Sequence, residues 1–203
     1  MVNVNGPFRS FLLPVVAVLS VGWTACGIHV KEKDNGHGDK EVSIQTPVAD
    51  LHVGKDVKGA DTGMTVYPGA RLVEKDDDGG SDRANLDIST PIFGLKLIVV
   101  KYLSDDAPQK LVDFYANDLR RYGKILKCTR SGVGADWNVG IHSDDRQKHP
   151  NELTCGGDGK GDTVELKVGS DNNAHIVAVT PKGNGAELVL VYMRARTDED
   201  KTI

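Results

Sequence analysis

Two histidines and two aspartates lie close together in a polar stretch of the sequence. His142, Asp144, Asp145 and His149 are followed by a proline. Imidazole nitrogens and carboxylate oxygens are ligands of transition metals, and a histidine near an aspartate can also move a proton during hydrolysis. Their spacing places no two ligands on one face of a helix or strand, so an exposed charged loop explains the group equally well. The sequence therefore predicts no metal site here.

Two loops have compositions that could bind ions. The acidic segment 75–82 (KDDDGGSD) could offer carboxylates to calcium, but Glu74 and Asn85 occupy positions where an EF-hand needs aspartate and a bidentate glutamate. The glycine-rich segment 156–163 (GGDGKGDT) could cradle a phosphate, but Gly161 follows its lysine and a strand comes next. We predict both segments as hairpin loops, without a metal or cofactor.

No nucleophile motif or triad can be assembled from the sequence. Ser131 begins a Ser-Gly-Val-Gly segment, but it lacks the glycine two positions earlier that a hydrolase elbow uses. The sequence therefore predicts no catalytic residue. Four aromatic residues could line a ligand groove, although such residues usually belong to the core. They are Tyr115, Tyr122, Trp137 and Tyr192.

The cysteines carry a different chemistry. The chain has three, and Cys26 follows an apolar run, which leaves Cys128 and Cys155 as a pair. Their positions show neither the Cys-x-x-Cys spacing nor the His-Cys cluster of a metal or redox site. In an oxidising compartment we expect them to form a disulfide, which would stabilise the fold by ~3.5 kcal/mol in the chain-entropy model.

The first residues are typical of an export signal. Arg9 precedes the apolar run 11–22, and Thr24, Ala25 and Cys26 follow. This order resembles the lipobox of bacterial lipoproteins, in which the cysteine after the cut is linked to diacylglycerol. Trp23 stands where that pattern usually has leucine. The resemblance implies a signal peptide at 1–25 and lipidation of Cys26.

Two alternatives to lipidation remain open. A signal peptidase could cut after Gly27 and discard Cys26, because Ala25 and Gly27 are both small. The segment 11–28 could instead stay as an uncleaved anchor, since its length is just within the ~17–25 residues that cross a bilayer. All three readings predict export, and lipidation predicts a protein anchored to a membrane on its periplasmic or outer side.

Composition divides the rest of the chain. Residues 31–40 (KEKDNGHGDK) carry charge and glycine without a large apolar side chain, so we predict a flexible tether at 26–40. Residues 41–195 are predicted as a single domain, and residues 196–203 as a disordered tail. The net charge of -4 and the absence of a basic patch argue against nucleic-acid binding.

The pattern of apolar residues predicts an α+β fold with a single, mainly antiparallel sheet. One amphipathic helix at about 104–123 places Leu111, Tyr115 and Leu119 on one face, which needs a sheet to cover, and it stops at Gly123. An additional N-terminal hairpin would lie at the sheet edge. The predicted strands are 42–46, 50–53, 71–75, 84–89, 95–103, 125–128, 152–155, 163–168, 175–180 and 187–194.

A wider resemblance rests on a Tyr-Pro-Gly-Ala turn at 67–70, a helix that contains Phe114-Tyr115, and the Cys128–Cys155 pair. With these features the chain resembles a group of uncharacterised bacterial envelope lipoproteins, over about 66–192. The resemblance implies a compact α+β domain and no activity or cofactor. A single short segment, VSIQTPVADLHV, also looks like one repeat of a bacterial adhesin.

Together these patterns predict a non-enzymatic binding or structural module of the cell envelope. Its partners would be the membrane, through the lipid on Cys26, and an envelope protein or glycan. The alternative is an envelope hydrolase whose site is assembled from distant loops, with His142 and Asp144 as its candidate residues.

Overall fold

The computed structural model describes residues 29–34, 40–73, 83–131, 152–156 and 159–197. These residues form ten strands, one α-helix and two short 3-10 helices. The helix α1 is Pro108–Asp118, and the 3-10 helices are Gly59–Thr62 and Leu119–Tyr122. The strands are β1 His29–Asp34, β2 Lys40–Thr46, β3 Ala49–Gly54, β4 Arg71–Leu72, β5 Arg83–Ser89, β6 Phe93–Ser104, β7 Leu126–Arg130, β8 Thr163–Ser170, β9 Asn173–Lys182 and β10 Gly185–Thr197.

All ten strands belong to one antiparallel sheet. Nine of them follow the order β1-β2-β3-β5-β6-β10-β9-β8-β7, and the short β4 pairs with the end of β6. Consecutive strands mostly lie side by side, as expected for hairpin connections. The predicted α+β class, with one antiparallel sheet and one helix, is confirmed.

The helix covers only one side and one half of this sheet. It begins at Pro108, where the missing N–H costs no helical hydrogen bond, and the chain leaves the following 3-10 turn at Gly123 with φ 132°. Leu111, Tyr115 and Leu119 lie on its inner face and are fully buried. They pack against aliphatic side chains of β6, β8, β9 and β10. Burying each such leucine stabilises the fold by roughly 1.5–3 kcal/mol.

We call β6 to β10 with α1 the covered half, and β1, β2, β3 and β5 the wing. The long strands β6, β9 and β10 supply most of the core, with Val100, Val177, Leu188 and Leu190 at 0 % exposure. A second, smaller cluster lies on the opposite side of the same strands, around Ile176 and Val191. The central strands therefore bury both of their sides, which explains their nearly continuous apolar sequences.

The Tyr-Pro-Gly-Ala turn has a folding role. Gly69 has φ 80°, and the N–H of Ala70 donates to the carbonyl of Tyr67 at 3.0 Å. The N–H of Tyr67 donates to the hydroxyl of Tyr115 at 3.1 Å, and the Tyr67 hydroxyl donates to Asp106 at 3.0 Å. The turn is thus fastened to the start and the middle of the helix.

The wing differs from the sequence prediction at its outer edge. The predicted tether covers 26–40, whereas β1 occupies His29–Asp34 and pairs along its whole length with β2. Charged residues form a strand here because the backbone ladder needs no apolar side chain and Val30 faces Ile44 across it. Strand β2 pairs with β3, and β3 pairs with β5 of the main sheet.

Other boundaries also moved. Residues 152–155, predicted as a strand, have no regular structure, because Cys155 is joined to Cys128 of the edge strand β7 instead of pairing in the sheet. Strand β10 reaches Thr197, two residues beyond the predicted end of the domain. The predicted signal peptide at 1–25 and the predicted lipidation site Cys26 lie outside the described residues. None of the described helices combines the length and the apolar character that crossing a bilayer requires.

Candidate binding surface

The wing has two chemically different sides. The first side is the one that α1 covers in the other half of the sheet. There, one row of paired residues crosses four strands and consists of Ser43, His52, Asp87 and Lys96. His52 Nε2 lies 3.2 Å from a carboxylate oxygen of Glu41 on the same side. Successive side chains of a strand point to opposite sides of the sheet, so these polar residues all lie on the same side. That side is suited to contact with water.

The other side of the wing is aliphatic. The neighbouring row runs Val30, Ile44, Leu51, Ile88 and Leu95 across β1, β2, β3, β5 and β6. A second aliphatic row, two residues farther along each strand, contains Val42, Val53 and Leu86 and ends at Leu97. Toward β10 the same side becomes the buried cluster around Val191. We call the part on β1, β2, β3 and β5 the apolar wing face.

The apolar wing face is only partly covered. Val30 is 61 % exposed and Val53 is 42 % exposed, and Ile44, Leu51 and Leu86 are half-buried. In a monomeric protein, a contiguous exposed aliphatic surface with polar surroundings usually marks a contact with another molecule. The face is therefore the best candidate for a binding surface among the described residues.

Two hairpin turns of the wing share one design. Thr46-Pro47-Val48-Ala49 joins β2 to β3, and Thr90-Pro91-Ile92-Phe93 joins β5 to β6. In each turn the threonine hydroxyl lies within 2.9 Å of both the N–H and the carbonyl of the fourth residue. The third residue is therefore held outward, and in both turns it is a branched aliphatic side chain.

A histidine lies between two tyrosines at the end of the helix-covered core. The ring of His175 stacks on Tyr122 with centroids 3.8 Å apart, and Tyr192 lies 5.0 Å away on the neighbouring strand. Arg121 lies over the outer face of the Tyr122 ring, 4.9 Å from its centroid. Burial, with a smaller contribution from the charge of Arg121, lowers the pKa of His175, so the ring is neutral at pH 7.

The backbone of Gly63 completes this cluster. Its carbonyl accepts hydrogen bonds from the Tyr122 hydroxyl and from the Arg121 guanidinium. Gly63 has φ 77°, and a Cβ there would lie 3.1 Å from the Tyr122 hydroxyl oxygen and 3.4 Å from His175 Nε2. The aromatic groups are thus tied to one another and to a tight turn, which indicates a structural clamp.

A buried ion network lies on the other side of the covered half, beside the disulfide. Glu165 Oε1 is 2.8 Å from Arg130 Nε, and Glu165 Oε2 is 3.1 Å from Lys167 Nζ. Lys167 also donates to the carbonyl of Thr154 at 3.3 Å. Thr154 precedes Cys155, which forms a disulfide with Cys128 at a Cα–Cα distance of 5.5 Å. Cys128 in turn pairs with Glu165 across the β7–β8 ladder. The predicted Cys128–Cys155 pair therefore fastens the segment 152–156 over this network.

An open depression of about 230 Å³ lies at the end of β6 and the β9–β10 turn. Its charged groups already pair with protein atoms. Arg71 donates two hydrogen bonds to Asp105, at 2.5 and 2.9 Å, and these bonds lower the pKa of that carboxyl. Lys182 lies 3.1 Å from a carboxylate oxygen of Glu187. The depression therefore offers a ligand no free charged group among the residues that line it.

The structure separates the candidates drawn from the sequence. The acidic loop 75–82, the histidine–aspartate group at 142–149 and Trp137 lie outside the described residues. Within the described part of the chain, no three potential ligand side chains lie close enough to hold a metal ion. Ser131, considered as a nucleophile, donates its hydroxyl to the carbonyl of Lys160 at 2.9 Å and so fixes the glycine-rich loop.

The structure brings together only part of the predicted aromatic groove. Tyr115 is fully buried in the core, and only Tyr122 and Tyr192 come together, on either side of His175. His175, Val48 and Ile92 were not predicted from the sequence as candidate functional residues. For Val48 and Ile92, the signal available in the sequence was the repeated Thr-Pro-aliphatic pattern of their two turns. Hairpin turns normally carry polar residues or glycine at the third position.

Comparison with known proteins adds no family. No protein family matches the chain, and neither a curated protein nor a solved structure shows significant similarity to it.

Proposed function

We propose that this chain is an exported bacterial envelope lipoprotein, anchored through Cys26, whose folded domain is a non-enzymatic binding module. The observation that carries the binding role is the asymmetry of the wing, with an aliphatic, partly exposed side backed by a polar one. Strands that are buried on both sides carry apolar side chains on both and show no such asymmetry. The asymmetry favours a contact that removes the aliphatic side from water.

The surface favours a protein partner over a glycan. The side chains of the apolar wing face are valine, leucine and isoleucine, which offer no hydrogen bonds to sugar hydroxyls. Burying them gains roughly 25 cal/mol for each Å² of apolar surface, which is the usual driving force of protein association. We therefore assign the face to an apolar surface of another envelope protein.

Two further observations support an exported protein. The order of Arg9, the apolar run and Cys26 is that of a lipoprotein signal. Cys128 and Cys155 lie at disulfide distance, and structural disulfides persist in oxidising compartments outside the cytoplasm. The resemblance to uncharacterised envelope lipoproteins agrees with both.

Lipidation is tested by the intact mass of the protein purified from its native membranes, before and after reduction. We expect a mass that begins at Cys26 with acyl chains added, and a gain of two hydrogens on reduction. A mass that begins at Ile28 without lipid, or one that retains Met1, would rule out lipidation of Cys26.

The binding face is tested by site-specific photo-crosslinking in native membranes. Benzoylphenylalanine at Val53 reports on the apolar wing face, and the same group at His52 is the matched control, because the two neighbours point to opposite sides of β3. We expect a discrete protein adduct from position 53 that excess purified protein competes away and that Leu86→Asp abolishes. Equal adducts from both positions, or none, would contradict the assignment.

A further inference from the structure

The exposed apolar residues of the described chain are concentrated at one end of the sheet. Five large hydrophobic residues are conspicuously exposed, and four of them lie in or beside two turns and the first residues of β1. They are Val30 (61 %), Val48 (69 %), Ile92 (67 %) and Phe93 (37 %). The fifth, Val53, lies farther along β3 on the apolar wing face.

Strand register shows that these four residues share an end. One row of paired residues runs from His29 to Gln45, Asp50, Ser89, Gly94 and finally Arg196. The start of β1 and both Thr-Pro turns therefore lie at the same end, which we call the turn end. Because neighbouring strands are about 4.8 Å apart, the centres of the two turns are separated by roughly 10 Å.

The turns hold their apolar tips rigidly in water. Proline stands at the second position of each, and the threonine hydroxyl bonds the backbone of the fourth residue. A threonine-closed turn fixes the third side chain outward before any contact is made, so little entropy is lost on binding. Val48 and Ile92 make such tips, although a polar residue there would be better solvated.

The predicted lipidation site is only three residues from this end along the chain. Cys26 precedes His29 by three residues, which span at most about 11 Å even when extended. If Cys26 carries diacylglycerol in a bilayer, this short span keeps the turn end close to the lipid surface, within reach of its exposed aliphatic tips. Side chains of this kind enter roughly 5–10 Å into the boundary between headgroups and acyl chains.

We propose that the turn end docks into the membrane, with Val48 and Ile92 inserted among lipid acyl chains and Val30 and Phe93 at their rim. The occupant of this surface is a lipid bilayer, and the proposal rests on the proposed lipid anchor only for its location. Docking fixes the orientation of the domain, so that the β9–β10 turn at the opposite end points away from the membrane.

Insertion is tested with single-tryptophan reporters in the full-length protein, purified from membranes and placed in phosphatidylcholine vesicles with brominated acyl chains. Trp23→Phe and Trp137→Phe remove the natural tryptophans, and phenylalanine at position 23 avoids introducing the leucine that the lipobox usually has there. Ile92→Trp and Val48→Trp report on the two tips. The matched control is Asn184→Trp, an exposed turn residue at the opposite end.

We expect bromine to reduce the fluorescence of the two tip reporters about twofold, as for residues at acyl depth, and to leave the control unchanged. Adding Val48→Asp to the Ile92→Trp reporter should weaken that quenching, because a carboxylate at the neighbouring tip opposes insertion. Circular dichroism of each variant checks that the sheet is formed. Equal quenching at positions 92 and 184, or none at 92, would overturn the inference.

The mass of the same preparations separates this inference from the proposed function. Acylated protein without quenching at position 92 overturns membrane docking and leaves the anchor standing. Unacylated protein with quenching at position 92 overturns the anchor and supports docking by the turns alone. Unacylated protein without quenching overturns both.

Discussion

The covered half and the wing use the same sheet in different ways. In the covered half, α1 packs on one side of β6, β8, β9 and β10, and a second cluster buries the other side. In the wing, one side of the strands is polar and the other is aliphatic and partly exposed. The covered half is therefore buried on both sides, whereas the wing keeps one aliphatic side partly in contact with water.

This division shows how a small domain keeps a hydrophobic surface without losing its fold. A sheet side that is half exposed contributes only part of its transfer free energy until a partner covers it. The wing can afford this because backbone ladders join it continuously to β6, which is anchored in the core. The comparison predicts that substitutions of one type will have unequal effects in the two regions.

The largest difference is expected for matched leucine truncations. Leu190→Ala should lower the free energy of unfolding by about 4 kcal/mol, because Leu190 is fully buried between the helix and the sheet. Leu51→Ala on the half-buried apolar wing face should cost about 1 kcal/mol. Denaturation by guanidinium chloride measures both. Equal losses would mean that the wing is as tightly packed as the covered half.

The disulfide should stabilise the covered half almost as strongly. Replacing both Cys128 and Cys155 by serine removes a cross-link that closes 27 residues, and the chain-entropy model gives a loss of ~3.5 kcal/mol. Unfolding of the wild type with and without reductant provides the control. Hydrogen exchange should rise first in β7 and β8, which flank the bond, and a faster rise in β2 or β3 would contradict the separation of the two regions.

The helix clamp should have an intermediate effect. Tyr115→Phe removes the acceptor of the Tyr67 N–H inside the core, and we expect a loss of about 1.5 kcal/mol. The hydroxyl stays neutral, because burial raises the pKa of Tyr115 far above its usual range.

The matched control for this clamp is Tyr67→Phe. It removes only the hydrogen bond to Asp106 near the surface and should cost about 0.5 kcal/mol. The two losses are measured by urea denaturation at pH 7. The reverse order would show that the surface bond, and not the buried one, fastens the turn.

The smallest effect is a pH dependence that belongs to the covered half. Burial lowers the pKa of His175 below its ordinary value of 6.5, so the unfolded chain binds more protons below that pH. Stability should therefore fall as the pH decreases through about 6.5, and this loss is complete below the depressed pKa of the folded state.

His175→Gln should remove this part of the pH dependence. Carboxylates with lowered pKa values, such as Asp105 and Asp106, lose their contribution at lower pH and remain in both proteins. The informative quantity is therefore the difference in unfolding free energy between wild type and variant, measured between pH 7.5 and about 5. A constant difference would show that His175 is as readily protonated in the folded state as in the unfolded one.

The sequence predicted the covered half better than the wing. The helical spacing of Leu111, Tyr115 and Leu119 and the strongly apolar strands near the C-terminus gave the correct elements. The charged strand β1 was predicted as tether, because its pairing depends on backbone hydrogen bonds with β2 and not on its own side chains. Residues 152–155 read as a strand, but the bond to Cys128 holds them outside the ladder.

For the candidate sites too, the sequence was informative only where the signal is local along the chain. Metal, phosphate and nucleophile motifs were set aside from their spacing alone, since local order along the chain decides them. The apolar wing face and the turn end escaped notice, because each is assembled from strands that are far apart in the sequence, such as β1 and β5 for the face and β1 and β6 for the turn end. His175 was missed because nothing in a β-strand sequence reveals which aromatic rings will lie beside it.

The sequence by itself determined the local properties of this protein: the amphipathic helix, the antiparallel character of the strands and the pairing of Cys128 with Cys155. Each depends on residue type and on spacing within a few turns or strands of the chain. Only the tertiary structure decided which side of the sheet stays exposed. It also decided that the two Thr-Pro turns lie at the same end of the sheet as the start of β1. Register between distant strands sets both, and register is a property of the assembled sheet.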